Sequence, residues 1–198
     1  MAGSLDWRNV DPGRSQIIPV DRIVVHPGWS QASGQNDVAL LHLATPLEFT
    51  RDGDSSRGLV TVNKVCLSRA GEGEHTGMAT SSGWGFLHKD QRVSPDLMRR
   101  VDIPVVDHAS CRSAFSRVIG VTQMQVCAGQ APKGNCMGDS GGPLVQKTSR
   151  GSGGTTGRAT QIGIVSFSIP CAVPGFPDVF TRVAKYLDWI SQNSGIPF

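Results

Sequence analysis

Short runs rich in β-branched and other apolar residues recur along the chain, separated by residues that form turns. The chain has 198 residues, among them 24 glycines and 12 prolines, which favour turns over long helices. Seven of these runs are predicted strands: Ile17–Val25, Asp37–Ala44, Leu59–Leu67, Leu97–Val106, Met124–Gly129, Gly141–Lys147 and Gln161–Ile169. Many short strands at this spacing predict an all-β fold, either a sandwich or a barrel with antiparallel strands.

Helical periodicity is clearest near the C-terminus, over Arg182–Asn193. Its apolar positions share one face: Val183, Leu187 and Ile190, with Tyr186 beside them. Gly195 follows as an expected helix stop. A second, shorter helix is predicted from about Ala109 to Phe115. The polar, glycine-rich segment Lys147–Thr160 predicts an exposed hairpin loop between two strands.

Charge and cysteine content limit the classes of function. The formal net charge is +3 and the basic residues are scattered, which argues against nucleic-acid binding. No apolar run approaches the roughly 20 residues of a membrane span, so no membrane contact is expected. The five cysteines are widely spaced and include no CxxC pair: Cys66, Cys111, Cys127, Cys136 and Cys171. This spacing suits disulfides and an oxidising compartment, although Met1–Val10 has no signal-peptide pattern.

The stretch NCMGDSGGPLV, Asn135–Val145, places Ser140 between an aspartate and two glycines. A serine hydroxyl is a weak nucleophile until a base removes its proton. Glycine allows a tight turn in which the N–H groups of Gly138 and Ser140 face one point, as stabilisation of an oxyanion requires. The same stretch is also compatible with a glycine-rich turn that merely joins two strands.

Six short motifs follow one another along almost the whole chain. They are NDVALLHL (Asn36–Leu43), SGWG (Ser82–Gly85), VCAG (Val126–Gly129), GDSGGPLV (Gly138–Val145), GIVSF (Gly163–Phe167) and FPDVFTRVAKYLDWI (Phe176–Ile190). In this order they resemble the trypsin/chymotrypsin family of serine proteases, with GDSGGPLV as the nucleophile motif and NDVALLHL as the acid motif. The resemblance implies two antiparallel six-stranded β-barrels, with the active site in the cleft between them.

The resemblance also divides the chain. We expect the family domain to span residues 1–195, with a remnant of the first barrel at about 1–80 and the second barrel at 81–180. The C-terminal helix is expected at 182–193.

By this resemblance, Ser140 is the nucleophile of an acyl-enzyme mechanism, and Asp37 is the carboxylate that orients a histidine base. The N–H groups of Gly138 and Ser140 form the oxyanion hole. Ser166 lies on the strand that lines the substrate backbone. Asp139 pairs with an N-terminal ammonium made by activation cleavage.

The resemblance implies a substrate pocket formed by Gly134, Ser166, Ser168 and Asp178. Gly134 stands where trypsin carries an aspartate, and Asp178 replaces a glycine on the far wall. A carboxylate there reaches a basic substrate side chain from another direction, but similar proteases prefer small aliphatic residues or are broad in specificity. Alternatively, Asp178 turns away and is hydrogen-bonded internally, so the preference stays open.

Two cysteine pairs, Cys111–Cys127 and Cys136–Cys171, match family disulfides. Cys66 matches a cysteine that in many members pairs with an upstream segment, and a free thiol is the alternative. The calcium-loop glutamates of trypsins have no counterpart around Ser4–Arg14. We therefore expect no metal, and the resemblance implies no cofactor.

The general base is the family element that has no counterpart. The family's histidine lies in a TAAHC motif upstream of the acid motif, whereas His26, the only histidine before Asp37, lies in an unrelated VVHPGW turn. The remaining histidines have strand or loop settings: His42, His75, His88 and His108. We expect the chain to be either truncated at its N-terminus, with an incomplete first barrel, or a degenerate homologue.

The expected function is that of an extracellular, monomeric serine endopeptidase at the family level. Its partners would be protein or peptide substrates and protease inhibitors. Without the histidine, the chain alone is expected to be inactive. The alternative is a catalytically inactive homologue that binds proteins through the same cleft.

Overall fold

Nine β-strands and two α-helices form the regular structure of the residues that the computed structural model describes, which are 1–11, 15–50, 62–69, 71, 74–148, 158–169 and 171–197. The strands are β1 (Val20–Val25), β2 (Ala39–Leu43), β3 (Cys66–Leu67), β4 (Met78–Gly83), β5 (Arg99–Val106), β6 (Gln125–Ala128), β7 (Pro143–Thr148), β8 (Arg158–Phe167) and β9 (Asp178–Arg182). The helices are α1 (His108–Phe115) and α2 (Leu187–Ser194), and a 3-10 turn at Val183–Lys185 precedes α2.

Six strands close into an antiparallel barrel. Their hydrogen-bonded order is β8-β7-β4-β5-β6-β9, and β9 pairs back with β8 to complete the ring. The short strand β3 joins this sheet outside the ring, parallel to β8. At the centre of the barrel, Ile103, Leu144 and Phe180 have 0% exposure. The predicted all-β class, with a closed six-stranded barrel, is confirmed.

The expected first barrel is represented by one antiparallel pair, β1 and β2. The ladder runs from Val25 opposite Ala39 to Val20 opposite Leu43. No third strand joins this pair in the described part of the chain. Large apolar side chains on it are exposed as a result: Val20, Ile23, Val25 and Leu41. The incomplete first barrel therefore takes the form of a two-stranded sheet.

The helix predictions are correct in position and differ in extent. Helix α1 begins after Asp107, whose side chain caps it by accepting a hydrogen bond from Ser110 N at 2.9 Å. Near the C-terminus, strand β9 continues to Arg182 because that residue pairs with Gly163 of β8, so the α-helix begins only at Leu187. Gly195 ends α2 in the left-handed conformation, with φ of 73°.

The apolar face predicted for the C-terminal segment is confirmed. Val183, Tyr186, Leu187 and Ile190 form one buried cluster with Val38. Val38 directly precedes β2. The cluster thus anchors the segment that carries the acid motif to the C-terminal helix.

Each of the seven segments predicted as strands contains a strand in the structure. Strands β4 and β9, by contrast, lie in segments for which no strand was predicted. Within Leu59–Leu67, residues 59–61 lie outside the described residues, and only β3 is regular in the rest. Of the predicted loop Lys147–Thr160, residues 149–157 also lie outside the described residues. The ends of that loop belong to β7 and β8, which pair at Thr148 and Arg158.

None of the described helices is long and apolar enough to cross a bilayer.

Candidate active site

Ser140 lies in a tight turn that leads into β7. Asp139 N donates to Cys136 O at 3.0 Å and Gly142 N donates to Asp139 O at 2.9 Å. Gly138 has φ of 100°, and a Cβ built on it would lie 3.1 Å from Gly85 Cα. Glycine is therefore required at 138 both for its backbone conformation and for the close approach of a second chain segment.

The backbone N–H groups around Ser140 are available to a ligand. Neither Gly138 N nor Ser140 N donates a hydrogen bond to any described residue. Gly141 N, by contrast, donates to Val165 O at 2.9 Å, which ties the turn to β8. The turn thus presents two free donors while its next residue is held on the barrel wall.

Asp139 is turned inward, away from the Ser140 side of the turn. Its Oδ1 accepts from Gly85 N at 2.8 Å, and its Oδ2 accepts from Cys136 N at 2.9 Å. A Cβ at either Gly83 or Gly85 would collide with this carboxylate. The two glycines of the SGWG motif therefore make room for Asp139, which also lines a cavity of about 420 Å³.

Asp37 lies between β1 and β2 in the chain, yet its hydrogen bonds join it to the barrel. Its Oδ2 accepts from Ser166 Oγ of β8 at 2.7 Å. Its backbone oxygen accepts from Thr181 Oγ1 of β9 at 2.7 Å. Two barrel strands thereby fix the position of a carboxylate that belongs to the smaller sheet.

Asp37 and Ser140 line one open cleft of about 680 Å³. Most of its walls are apolar, formed by side chains such as Val25, Trp29 and Ile164. None of the described residues that line the cleft is a histidine. The acid and the serine therefore face a common space, and its described lining residues supply no imidazole.

The histidines lie in other settings. His26 packs against the rings of Tyr186 and Trp189, with centroid distances of 5.5 and 5.1 Å. His42 Nδ1 lies 2.6 Å from Asp21 Oδ1 on the exposed surface of the small sheet. The others are placed elsewhere on the surface: His75 before β4, His88 near Asp90, and His108 at the start of α1.

Asp178, the candidate pocket residue, is only 3% exposed. Burial raises the pKa of its carboxyl to about 6, and hydrogen bonds from Asn135 oppose that rise. Asn135 N and Asn135 Nδ2 donate to Asp178 Oδ2 at 2.5 and 3.2 Å. A Cβ at Gly134 would lie 2.7 Å from the same oxygen. Asp178 thus lies against Gly134, with an internal hydrogen-bond partner.

The other pocket candidates lie along β8 and the nucleophile turn. Ser166 is bonded to Asp37, and Ser168 is the partly buried residue just after β8. Gly134 lines the cavity that contains Asp139, whereas Ser140 lines the cleft. The structure therefore brings Gly134 and Asp178 together behind the turn that carries Ser140.

Two disulfides brace this region. Cys136, in the nucleophile turn, is bonded to Cys171 with a Cα separation of 4.8 Å. Cys111 of α1 is bonded to Cys127 of β6 with a Cα separation of 6.2 Å. Both separations lie in the usual range for disulfides. Cys66 is a free thiol in this structure.

The trypsin family model matches residues 1–190. The chain belongs to the trypsin family. It is similar to Trypsin-1 of Astacus astacus, with 33% identity over 98% of this chain and 74% of the relative. It is also similar to Trypsin Tyr p 3.0101 of Tyrophagus putrescentiae, with 31% identity over 96% of this chain. Clotting factor G beta subunit of Tachypleus tridentatus is 30% identical over 87% of this chain. The chain spans only 61% and 55% of these last two relatives.

Three contacts in this trypsin-family site were not predicted from the sequence. Asn135 bridges Asp178 and Ser81, whose Oγ donates to Asn135 Oδ1 at 2.7 Å. Thr181 holds the backbone of Asp37. The position of Asn135 beside Gly134 was a usable signal, because a buried aspartate needs donors nearby. Thr181 gave no such signal, since its partner lies far away in the sequence.

Proposed function

We propose that this chain, as one domain over residues 1–195, carries the nucleophile, the oxyanion hole and the acid of a serine endopeptidase. The observation that supports the proposal best is that Asp37 and Ser140 line the same cleft. The names of the two trypsin relatives support the class of reaction. Protein or peptide substrates in an extracellular setting, protease inhibitors and a monomeric state belong to the same proposal.

The chemistry assigns a step to each group. Ser140 Oγ attacks the carbonyl carbon of a peptide bond while a base takes the hydroxyl proton. The N–H groups of Gly138 and Ser140 stabilise the resulting oxyanion. Protonation of the leaving nitrogen breaks the C–N bond and leaves an ester on Ser140, which water then hydrolyses. Asp37 orients the base through Oδ1, because its Oδ2 is bonded to Ser166.

The chain by itself does not hydrolyse peptide bonds measurably in this proposal, because none of the described residues lining the cleft is a histidine. Loss of one member of a catalytic triad costs on the order of 10⁶ in turnover in a related chemistry. A residual acceleration of about 10³–10⁴ over water is what binding and an oxyanion hole provide without the triad. This residual acceleration requires a correctly formed Gly138–Ser140 turn.

A fluorophosphonate probe tests the proposal directly, since it labels only an activated serine. We expect no labelling of the chain alone and stoichiometric labelling of a chimera that carries a family segment with the TAAHC histidine. Ser140→Ala in the chimera is the control and should abolish labelling. Rapid labelling of the unmodified chain would show that another group acts as the base, and His26→Ala and His42→Ala would then identify it.

Asp139 is proposed to accept an N-terminal ammonium in the active enzyme. Its carboxylate lines a cavity, and its hydrogen bonds from the described residues come from backbone N–H groups, those of Gly85 and Cys136. An ammonium at this position would compensate a carboxylate that here has no cationic partner among the described residues. In the active chimera, Asp139→Asn should abolish labelling of Ser140 as strongly as loss of the ammonium does.

The substrate pocket is proposed to comprise Gly134, Ser166, Ser168 and Asp178. In the active chimera, Asp178→Gly should lower kcat/KM after Arg and Lys more than after Leu. Equal losses for the two substrate classes would show that Asp178 has only a structural role. The hydrogen bonds that Asp178 accepts from Asn135 are the observation that favours a structural role.

A second candidate is a non-catalytic family member that binds proteins through the cleft. The observation that favours it is that none of the described residues lining the cleft is a histidine. The chimera separates the two functions. Restored labelling supports the enzyme, whereas a well-folded chimera that stays unlabelled supports the binding protein.

A further inference from the structure

The backbone carbonyl of Leu5 joins the two ends of the connection between β4 and β5, residues 84–98. It accepts a hydrogen bond from Trp84 Nε1, just after β4, at 3.0 Å. It also accepts one from Met98 N, just before β5, at 2.7 Å. A carbonyl oxygen has two lone pairs, and both are used here. One acceptor therefore fixes where the connection leaves the barrel and where it returns.

The segment that carries the Leu5 carbonyl is itself held in place. Arg8 N donates to Asp6 Oδ1 at 3.0 Å, which folds the chain after Leu5 into a tight turn. Arg8 Nε lies 2.9 Å from Asp96 Oδ1, which belongs to the connection. The Leu5 carbonyl is therefore an acceptor with a defined orientation.

The residues that follow Trp84 fold against the nucleophile turn. Gly85 N donates to Asp139 Oδ1 at 2.8 Å. Phe86 N donates to Met137 O at 2.9 Å, and no other described residue donates to that oxygen. The position of Trp84 thus determines the position of two backbone donors on the turn.

The bond from Phe86 decides the direction of a donor of the proposed oxyanion hole. The Met137–Gly138 peptide is trans, so its C=O and N–H groups point in opposite directions. While Met137 O faces Phe86, Gly138 N therefore faces the other way, where it has no partner among the described residues. Met137 is 58% exposed, so water can replace Phe86 as the donor if the peptide rotates. The bond from Phe86 selects one orientation over a rotation that costs little.

We infer that Trp84 is a positioning residue for the proposed reaction. Its indole N–H, bonded to Leu5 O, holds Phe86 where that residue orients the Met137–Gly138 peptide. The inference rests on the proposed function, which assigns Gly138 N to the oxyanion hole. Trp84 is not among the residues that line the cleft, so it acts through this peptide and not on the substrate. Without the indole bond the peptide rotates more often, and the oxyanion hole loses one of its two donors for part of the time.

Amide hydrogen exchange followed by NMR tests the geometry on the chain alone. Trp84→Phe keeps an aromatic ring and removes the donor to Leu5 O. It should speed exchange at Phe86 N about fivefold, the effect of one lost hydrogen bond. Gly141 N, which donates to Val165 O on the other side of the turn, should be unchanged and so reports that the barrel stays closed.

Trp7→Phe is the matched control. Trp7 Nε1 donates to Pro95 O at 3.0 Å, so this variant removes an indole hydrogen bond of the same length from the same segment. Met98 N still holds Leu5 O in this variant. Exchange at Phe86 N should therefore stay as it is in the unmodified chain.

The unmodified chain provides a second measurement, which decides the question even if Trp84→Phe fails to fold. If the indole holds Phe86, the two groups open together. The protection of Trp84 Nε1–H and of Phe86 N–H should then fall in parallel at low concentrations of urea. Protection of Phe86 N that persists after Trp84 Nε1–H has become exchangeable would show that the indole does not hold it.

Kinetics of the active chimera test the role in the reaction. Trp84→Phe should lower kcat about fivefold and leave KM within about twofold, because the oxyanion forms only in the transition state. A residue that merely supported substrate binding would change KM instead. Trp7→Phe should leave both constants unchanged.

Three results overturn the inference. The first is unchanged exchange at Phe86 N in Trp84→Phe. The second is an equal effect of Trp84→Phe and Trp7→Phe on that exchange. The third is a chimera in which Trp84→Phe leaves kcat unchanged, whether or not KM rises. A chimera that stays unlabelled contradicts the proposed function and with it the role of Trp84 in the reaction, whereas exchange in the chain alone still decides whether Trp84 orients the turn.

Discussion

The closed barrel and the β1–β2 sheet are built from similar apolar strands, yet they bury them very differently. Leu144 on β7 has 0% exposure, whereas Leu41 on β2 is 59% exposed. Closure of six strands gives every strand two neighbours and encloses the inward-facing side chains. Two strands alone cannot enclose a core, so their apolar side chains stay in contact with solvent.

Asp37, the proposed triad carboxylate, lies where these two regions meet. Asp37 belongs in sequence to the approach to β2, but its hydrogen bonds run to Ser166 and Thr181 of the barrel. The proposed site therefore depends on the well-packed region for its geometry. The weakly packed region contributes the exposed wall of the cleft, through Val25 and Leu41.

The largest expected difference in stability comes from the same substitution in the two regions. Leu144→Ala should lower the free energy of unfolding by about 2–5 kcal/mol, because it opens a cavity in a fully packed core. Leu41→Ala should change it by less than about 0.5 kcal/mol. Urea denaturation measures both. Similar losses would show that the small sheet is packed in solution to a degree that its exposure does not indicate.

Cysteine substitutions inside and outside the barrel should likewise differ in their effect on stability. Replacing the Cys111–Cys127 bridge by two alanines should cost about 2–4 kcal/mol. Cys66→Ala, which removes an unbridged thiol outside the ring, is the matched control and should have a much smaller effect. Thermal melts without reductant report both changes. An equal shift in Tm would mean that the bridge does not constrain the barrel.

The buried carboxyl of Asp178 should make the stability of the barrel depend on pH. Its pKa is about 6 in the folded chain against an ordinary value of 3.8, so the folded chain binds more protons between these values. Raising the pH from about 4 to about 6 should therefore lower the free energy of unfolding, by roughly 2 kcal/mol.

Asp178→Asn should remove that part of the pH dependence, as measured by urea denaturation at a series of pH values. Asp102→Asn, which removes an exposed carboxylate of the same barrel, is the control. The burial of an ionisable carboxyl would be contradicted if the free energy of unfolding of the wild-type chain rose over this pH window and Asp178→Asn showed the same pH dependence.

The smallest effect concerns the hydrogen bond that joins the two regions. Ser166→Ala should cost about 1.5 kcal/mol, because it removes a donor to the Asp37 carboxylate. A double-mutant cycle with Asp37→Ala measures the coupling between them. Zero coupling would mean that the barrel does not hold the acid through this bond.

Much of this fold follows from local pattern. Alternation and β-branched content located β5 and β8 within a few residues, and the apolar face of Val183, Leu187 and Ile190 is buried as predicted. Strand β4 was missed because its sequence, MATSSG, is small and polar and has no apolar alternation. It is a strand because β5 and β7 flank it and supply its hydrogen bonds.

The sequence by itself determined the all-β class, the order of seven of the nine strands, the left-handed stop at Gly195 and the serine turn with its required glycine at 138. These features depend on steric limits of single residues and on short-range periodicity. The tertiary structure alone decided that Ile103 is buried while Ile23 is 62% exposed, and that Asp178 is bonded to Asn135. Burial and hydrogen bonding of this kind depend on which distant segments meet, because an apolar or charged side chain gains its environment only from its neighbours in space.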